Sequence, residues 1–130
     1  MMKTKAESVG DKGESAAAAL LQRKGYSVLE RNYRTRYGEI DIIAQDGQYI
    51  VFAEVKTRAS DAIGKPSVWV DARKQKKLLR TAGIYMEEHT PDLQPRFDII
   101  EVVYDKITGS VVSLVQSEDA FGQTEDYSAY

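Results

Sequence analysis

Two acidic side chains and a lysine, Asp41, Glu54 and Lys56, lie in an otherwise apolar part of the sequence. Hard divalent cations such as Mg²⁺ take oxygen ligands and keep several waters, so two or three carboxylates and a backbone carbonyl suffice to hold one. A nearby lysine can position the attacking water or stabilise the charge that develops during phosphodiester hydrolysis. These residue types are therefore suited to metal-assisted cleavage of a phosphodiester.

The same three residues allow two other interpretations. Glycoside hydrolysis also uses a pair of carboxylates, although a sugar substrate would gain nothing from the basic segments described below. In a structural interpretation, Lys56 neutralises Glu54 and Asp41 in an ion-pair network on a partly buried face. The residue types alone do not decide between a metal site, an ion-pair network and other chemistry.

A β-hairpin over residues 38–58 would bring these side chains together. Asp46-Gly47 is typical of a two-residue type I′ turn, because both central residues of that turn need positive φ. Apolar residues dominate on both sides of this dipeptide. We therefore expect residues 39–44 to pair antiparallel with residues 49–57.

The turn also determines which side chains share a face of the hairpin. If Gln45 lies opposite Gln48, Asp41 and Glu54 are diagonal neighbours whose backbones are roughly 7–8 Å apart. Lys56 follows on the same face, because alternate residues of a strand share a face. A loop with one residue more or fewer would move Asp41 to the other face. The predicted opposite face is continuous and apolar, and it comprises Ile40, Ile42, Ala44, Tyr49, Val51, Ala53 and Val55.

Composition limits the class of protein. A chain of 130 residues with 42% hydrophobic content suits one domain; we assign residues 1–121 to it and residues 122–130 to a polar, disordered tail. The sequence has no apolar run long enough for a membrane span and no export signal, so we expect a cytoplasmic protein. The absence of cysteine excludes disulfides, and the single histidine, His89, argues against a His-rich metal site or a Ser-His-Asp triad.

Charge is distributed unevenly along the chain. A net charge of −2 alone argues against a nucleic-acid-binding protein, but residues 117–130 hold four acids and no base, which leaves +2 on the preceding residues. One basic segment, residues 31–37, interleaves arginine with tyrosine. Such a segment can contact phosphates and stack on bases, and it is equally typical of a solvated strand end.

A second basic segment forms the first half of a predicted helix. Five cations lie within residues 73–80, with Asp71 as the nearby acid. This density suits phosphate contacts, although a charge run on a helix is usually only a solvated face. The candidate nucleic-acid contacts from both segments and the end of the hairpin are Arg31, Arg34, Arg36, Arg58, Lys74, Lys76 and Lys77.

Helices and strands are predicted on both sides of the hairpin. Periodicity and end signals predict helices over residues 12–24 and from residue 67 or 71 to 89, and strands over residues 26–33, 96–104 and 111–115. Residues 1–12 are expected to be frayed. This order predicts an α/β fold with a mixed sheet flanked by helices. Glu14 falls on the core-facing side of the first helix, an unusual place for a carboxylate unless the helix dipole favours it there, and Asp98 interrupts an apolar strand.

At these residues the sequence resembles a known family. Gly38-Glu39-Ile40-Asp41, followed by Glu54-Val55-Lys56-Thr57-Arg58, is similar to the PD-(D/E)XK nuclease core of the YraN-like group of small bacterial proteins, relatives of archaeal Holliday-junction resolvases. The resemblance runs from about Gly10 to Phe121, and one departure is Val68-Trp69, where the family more often has a Glu-Ala-like pair. The segments flanking the hairpin that also show the resemblance are Gly13-Glu14, Gly25-Tyr26, Arg31-Asn32-Tyr33, Val70 with Lys74 and Gln75, and Arg96-Phe97-Asp98.

The resemblance implies roles for individual residues. It makes Asp41 and Glu54 metal ligands, with the Val55 carbonyl as a third ligand and Lys56 as the catalytic lysine. The remaining implied site residues are Glu14, as an acid that the first helix contributes to the metal site, and Gln75, as a polar residue from the helix after the core strands.

The resemblance also implies a restriction-endonuclease-like single domain that uses Mg²⁺ or Mn²⁺ to hydrolyse DNA. In the resolvase relatives it implies homodimers that act on branched DNA. Two alternatives remain open from the sequence: a non-catalytic nucleic-acid-binding module that retains the fold, and a protein-interaction domain recruited through the acidic tail.

Overall fold

The protein is a five-stranded mixed sheet with two helices, as seen in a computed structural model that describes residues 8–61 and 71–121. Val68-Trp69, the alternative helix start at residue 67 and the predicted tail at 122–130 lie outside these residues. The α/β, restriction-endonuclease-like single domain predicted from the sequence is confirmed. The elements are α1 (Val9–Arg23), β1 (Ser27–Thr35), β2 (Gly38–Asp46), β3 (Tyr49–Ala59), α2 (Ala72–His89), β4 (Gln94–Tyr104) and β5 (Val111–Phe121).

The strands lie in sequence order, β1-β2-β3-β4-β5. Neighbouring strands pair antiparallel except for β3 and β4, which are parallel. A parallel pair needs a crossover connection, and α2 provides it. The first turn of α2 lies against the middle of β3, where the Lys74 side chain contacts Glu54.

Helix α1 begins earlier than predicted. Ser8 is its N-cap, and the Ser8 Oγ accepts a hydrogen bond of 3.1 Å from the Asp11 amide. This cap satisfies one of the free amides of the first turn, so residues 9–12 are helical and the expectation that they are frayed is wrong. The predicted end is confirmed, since Gly25 follows the helix with a φ of 92°.

Helix α2 begins at the later of the two predicted starts. Asp71 caps it by accepting a hydrogen bond of 2.9 Å from the Lys74 amide. The helix ends at His89, as predicted. Its buried residues are Leu78, Leu79, Thr81, Ala82 and Tyr85, and Met86 packs against the same core while only partly buried.

The hairpin forms as predicted, but its register differs by two residues. Asp46 pairs with Tyr49, so the turn is centred on Gly47 and Gln48, not on Asp46 and Gly47. Gly47 has a φ of 59° and occupies the first central position, which is the glycine position of a type II′ turn. A shift of two residues preserves the face of each side chain. Asp41 consequently moves from a diagonal position toward one directly across from Glu54.

Strand β2 separates from β3 at Asp41. The paired residues of the two strands end at Ile42 and Ala53, whereas β2 continues to pair with β1 as far as Gly38. Ile40 packs in the core beneath α2, although Ile42 packs in the core beneath α1. The predicted alternation, which placed both isoleucines on one face, is therefore wrong for Ile40. We call the gap between β2 and β3 beyond this last pair the strand opening.

Two apolar cores cover the two faces of the sheet. The core under α2 contains Ile43, Ile50, Phe52, Leu78, Tyr85 and Phe97, and the core under α1 contains Ala17, Leu21, Ile42, Val51, Ile100 and Val102. Burial of these side chains stabilises both helix–sheet contacts. Both helices are thus fixed relative to β3, the strand that carries Glu54. No helix in the part of the chain that the structure describes is long and apolar enough to cross a membrane.

Candidate functional site

The strand opening brings the two predicted metal ligands together. The Val55 amide donates a hydrogen bond of 2.7 Å to Asp41 Oδ2. Glu54, the residue before Val55, is 8% exposed. In an extended strand the N–H and C=O of one residue point to the same side, so the Val55 carbonyl lies on the Asp41 side of β3. Asp41, Glu54 and the Val55 carbonyl are therefore neighbouring oxygen donors at one opening.

The electrostatics of the strand opening favour a cation. Burial raises the pKa of Asp41 to about 7, and the charge of Glu54 adds to the increase. The hydrogen bond from Val55 opposes the shift, while Glu14 and Glu39 add to it. Because two neighbouring carboxylates disfavour joint ionisation, a cation placed between them stabilises their ionised forms. Oxygen donors in this arrangement fit a hard divalent ion such as Mg²⁺.

A lysine from α2 already contacts this pair. The Lys74 ammonium lies 2.5 Å from Glu54 Oε1, and 48% of the Lys74 side chain is exposed. Burial lowers the pKa of Lys74, but the hydrogen bond and charge of Glu54 outweigh that effect and raise it. The sequence predicted Lys74 as a DNA contact, and it did not predict this ion pair.

Lys56 and Gln75 lie on the elements that form the site. Lys56 is partly buried two residues beyond Glu54 on β3, and strand alternation places it on the Glu54 face. Gln75, also partly buried, follows Lys74 in the first turns of α2. Their predicted catalytic roles stay predictions.

Glu14 approaches the sheet through a close helix–strand contact. A Cβ on the preceding residue, Gly13, would lie 2.0 Å from Thr57 Oγ1, so only glycine fits there without a shift. The Glu14 side chain is 17% exposed, 4.0 Å from the Arg31 guanidinium, and accepts a hydrogen bond of 2.7 Å from Asn32 Nδ2. Its carboxylate is thus held near the site and outside bulk solvent.

The metal-ligand role of Glu14 stays a prediction. Within residues 8–61 and 71–121, no three acidic or histidine side chains form a group that could hold a metal ion. Asn32, which binds Glu14, was missed as a site residue. The sequence signal for it was its place in Arg31-Asn32-Tyr33, a segment that shares the resemblance; in the structure its backbone is left-handed, with a φ of 54°, a conformation in which asparagine is enriched.

A basic groove lies between α2 and the end of β1. It has a volume of about 360 Å³ and is lined by Arg36, Tyr37, Arg73, Lys76, Lys77 and Arg80. The Arg80 guanidinium stacks over the Tyr37 ring at 3.8 Å from the centroid, and that of Arg36 lies at 5.0 Å. The structure thus joins the two basic segments of the sequence, and Tyr37, an aromatic residue of the first segment, lines the groove with them.

The other predicted DNA contacts face acidic side chains. Arg34 forms an ion pair with Glu39. The Arg58 guanidinium lies 3.5 Å from the buried Glu101 carboxylate. Arg31 and Lys74 lie beside acids of the candidate metal site, as described above. Of the seven predicted contacts, Arg36, Lys76 and Lys77 line the basic groove.

Asp98 has a structural role in a hydrogen-bond network that extends to the hairpin turn. It is fully buried and accepts hydrogen bonds of 3.0 and 2.9 Å from Arg96 and one of 2.9 Å from Gln116. Arg96 also donates to Asp46 at 3.0 Å and to the Tyr26 hydroxyl at 2.8 Å. The network ties β4 to the hairpin turn, to the segment after α1 and to β5.

Comparison with known proteins places the site in a family. Residues 13–102 match Uncharacterised protein family UPF0102, a range that includes Asp41, Glu54 and Lys56. A UPF0102 protein of Caldanaerobacter subterraneus is 48% identical over 103 residues, covering 78% of this chain and 84% of its own. One of Thermodesulfovibrio yellowstonii is 46% identical over 99 residues, covering 76% and 88%, and one of Syntrophus aciditrophicus is 44% identical over 113 residues, covering 86% and 87%. The chain therefore belongs to the UPF0102 family, the YraN-like group that its hairpin motif resembles.

Proposed function

We propose that the protein is a Mg²⁺-dependent endonuclease that hydrolyses phosphodiester bonds of DNA. The observation that carries the proposal is the hydrogen bond from the Val55 amide to Asp41, which holds Asp41 beside Glu54 at the strand opening. Asp41, whose pKa is raised, lies with a second carboxylate next to a backbone carbonyl, and this set of oxygen donors has the chemistry of a Mg²⁺ site. The family resemblance supports the same assignment.

Each residue of the site would have a distinct role. Bound Mg²⁺ would polarise the scissile phosphate and lower the pKa of an attacking water. Asp41 and Glu54 would hold the ion with the Val55 carbonyl, and Lys56 would orient the water or stabilise developing negative charge. Gln75 and Glu14, from the two helices, would complete the polar surroundings.

The basic groove would hold the DNA backbone next to this site. Lys74, at the carboxylate pair, and Arg80, in the groove, are separated by six residues of α2, which corresponds to roughly 9 Å along the helix axis. The stack on Tyr37 orders the Arg80 guanidinium and leaves its edge available for a phosphate. Contacts of this kind position a backbone without reading its sequence.

The finer features of the proposal come from the resemblance alone. They are a preference for branched, Holliday-junction-like DNA and a homodimeric form; the cytoplasmic location is instead the expectation drawn from the composition of the sequence. The net charge of +2 on residues 1–116 is compatible with a DNA-binding body.

A cleavage assay tests the proposal. Wild type, Asp41→Asn and Lys56→Ala would be incubated with single-stranded, duplex and four-way-junction DNA, in Mg²⁺ and in EDTA. Glu87→Gln, which changes an exposed acid near the other end of α2, is the control. We expect cleavage by wild type and Glu87→Gln in Mg²⁺ only, and none by the two site variants. Absence of cleavage on every substrate, in Mg²⁺ and in Mn²⁺, would reject the proposal.

The ion pair between Lys74 and Glu54 favours a second candidate function. In this alternative the protein is a non-catalytic nucleic-acid-binding module, and Lys74 permanently neutralises the carboxylate pair. DNA binding would then rest on the basic groove and would be indifferent to divalent ions. A protein whose melting temperature and DNA affinity are unchanged by Mg²⁺ would support this alternative.

A further inference from the structure

The two side chains of the ion pair at the strand opening differ in their exposure to solvent. Glu54 is buried, with 9% of its side chain exposed, while its partner Lys74 has 48% exposed. The backbone of Lys74 is fixed, because its amide is bonded to the cap residue Asp71 at 2.9 Å. The ammonium, in contrast, is at the end of a flexible four-carbon stem. Glu54 therefore cannot move to solvent without disturbing β3, but the Lys74 ammonium can.

Lys74 makes direct contact with only one of the two carboxylates at the strand opening. One ammonium faces two carboxylates, Asp41 and Glu54, and it lies against only the second of them. A divalent ion carries twice the charge and can contact both carboxylates at once. A divalent ion bound to Glu54 would also repel an ammonium that contacts the same carboxylate. The two cations are thus competitors for Glu54.

We propose that the Lys74 ammonium is an internal cation that holds Glu54 while no divalent ion is bound, leaves Glu54 when Mg²⁺ binds, and then contacts a DNA phosphate. The inference rests on the metal site of the proposed function and adds a positioning role for Lys74. The released ammonium is on the same helix as Arg73, Lys76 and Lys77, which line the basic groove. Binding of Mg²⁺ at the metal site therefore adds one contact between the protein and a DNA phosphate. Because coupling between two ligands is reciprocal, Mg²⁺ increases the affinity for DNA and DNA increases the affinity for Mg²⁺.

A metal titration of the protein alone tests the exchange. Free Mn²⁺ would be measured by electron paramagnetic resonance for wild type, Lys74→Met, Lys74→Arg and Lys76→Met. Lys76→Met removes the same charge from the same helix but not from Glu54, so it controls for the general loss of positive charge. We expect Lys74→Met to bind Mn²⁺ about tenfold more tightly than Lys76→Met, a factor equivalent to about 1.4 kcal/mol. Lys74→Arg, which keeps a cation at Glu54, should bind like wild type.

Two further measurements follow duplex binding in EDTA and the Lys74 ammonium itself. In EDTA, Lys76→Met should lower the salt dependence of duplex binding by about one contact, whereas Lys74→Met should leave it unchanged because Glu54 holds that ammonium. The ¹⁵N signal of the Lys74 ammonium should be protected from exchange in EDTA and lose its protection in saturating Mg²⁺. Equal Mn²⁺ affinities for Lys74→Met and Lys76→Met, or an ammonium that stays protected in Mg²⁺, would overturn the inference.

The outcomes separate this inference from the proposed function. Tighter Mn²⁺ binding by Lys74→Met, with no cleavage of any DNA by wild type, would reject the endonuclease and retain the exchange. Mg²⁺-dependent cleavage by wild type, with no change in Mn²⁺ affinity for Lys74→Met, would retain the endonuclease and reject the exchange.

Discussion

The protonation of Asp41 makes the stability of the protein depend on pH in a direction that can be measured. Burial and the charge of Glu54 raise the pKa of Asp41 from 3.8 to about 7 in the folded state. Between these two values the folded protein keeps a proton that the unfolded chain has released, so the free energy of unfolding falls as pH rises. Each pKa unit corresponds to about 1.36 kcal/mol, and the full loss is up to about 4 kcal/mol above pH 7. Asp41→Asn removes this loss and can still accept the hydrogen bond from Val55.

Urea unfolding in EDTA between about pH 4 and about pH 8 measures this difference. We expect Asp41→Asn to become progressively more stable than wild type as pH rises, with a plateau above about pH 7. Asp105→Asn is a control of opposite sign, because backbone hydrogen bonds from Thr108 and Ile107 lower the pKa of Asp105. That variant should be less stable than wild type by a constant amount across this range, because the difference closes only below about pH 4, where the carboxyl group of the unfolded chain takes up its proton. A constant difference between Asp41→Asn and wild type across the range would refute the assigned electrostatics.

Three other substitutions test separate parts of the structure. Gly13→Ala should lower the free energy of unfolding by roughly 1–3 kcal/mol, because its Cβ would meet Thr57 Oγ1 at 2.0 Å; thermal melts should show partial recovery when Thr57→Ala is added. Arg96→Met leaves the buried Asp98 without its charge partner and should cost roughly 3–5 kcal/mol in urea unfolding, so a near-neutral effect would contradict the network. Lys77→Ala should reduce the salt slope of duplex binding by about 1, and an unchanged slope would show that the groove is only a solvated surface.

Except for that of Ile40, the faces of the paired hairpin residues could be predicted, but the register could not. Turns centred on Asp46-Gly47 and on Gly47-Gln48 differ by two residues in pairing, and both place Asp41 on the Glu54 face. Local turn preferences therefore determine the face of the sheet on which each side chain lies, but they do not determine the residue with which it pairs across the hairpin. Ile40 departs from the alternation because β2 leaves β3 at Asp41, a separation that has no simple sequence signal.

The contact between Lys74 and Glu54 could not be predicted from the sequence, for a different reason. It depends on where α2 docks after the crossover, and the packing of residues such as Leu78 and Tyr85 against the sheet decides that. A charge run indicates that a helix face is basic, but it does not say which lysine reaches back to the strands. The basic groove likewise needs the end of β1 and α2 to meet in space.

The amide of Val55 offers a natural spectroscopic reporter of the strand opening. Most amides in a sheet bond to the carbonyl of a neighbouring strand, and their resonances report on the sheet alone. The Val55 amide bonds to the Asp41 carboxylate, so its ¹H and ¹⁵N shifts follow the protonation of that side chain and any cation that it binds. Protonation of a carboxylate weakens the bond that it accepts from an amide, which moves the proton resonance of Val55 upfield. The occupancy of the opening can thus be followed in the unmodified protein through one backbone signal.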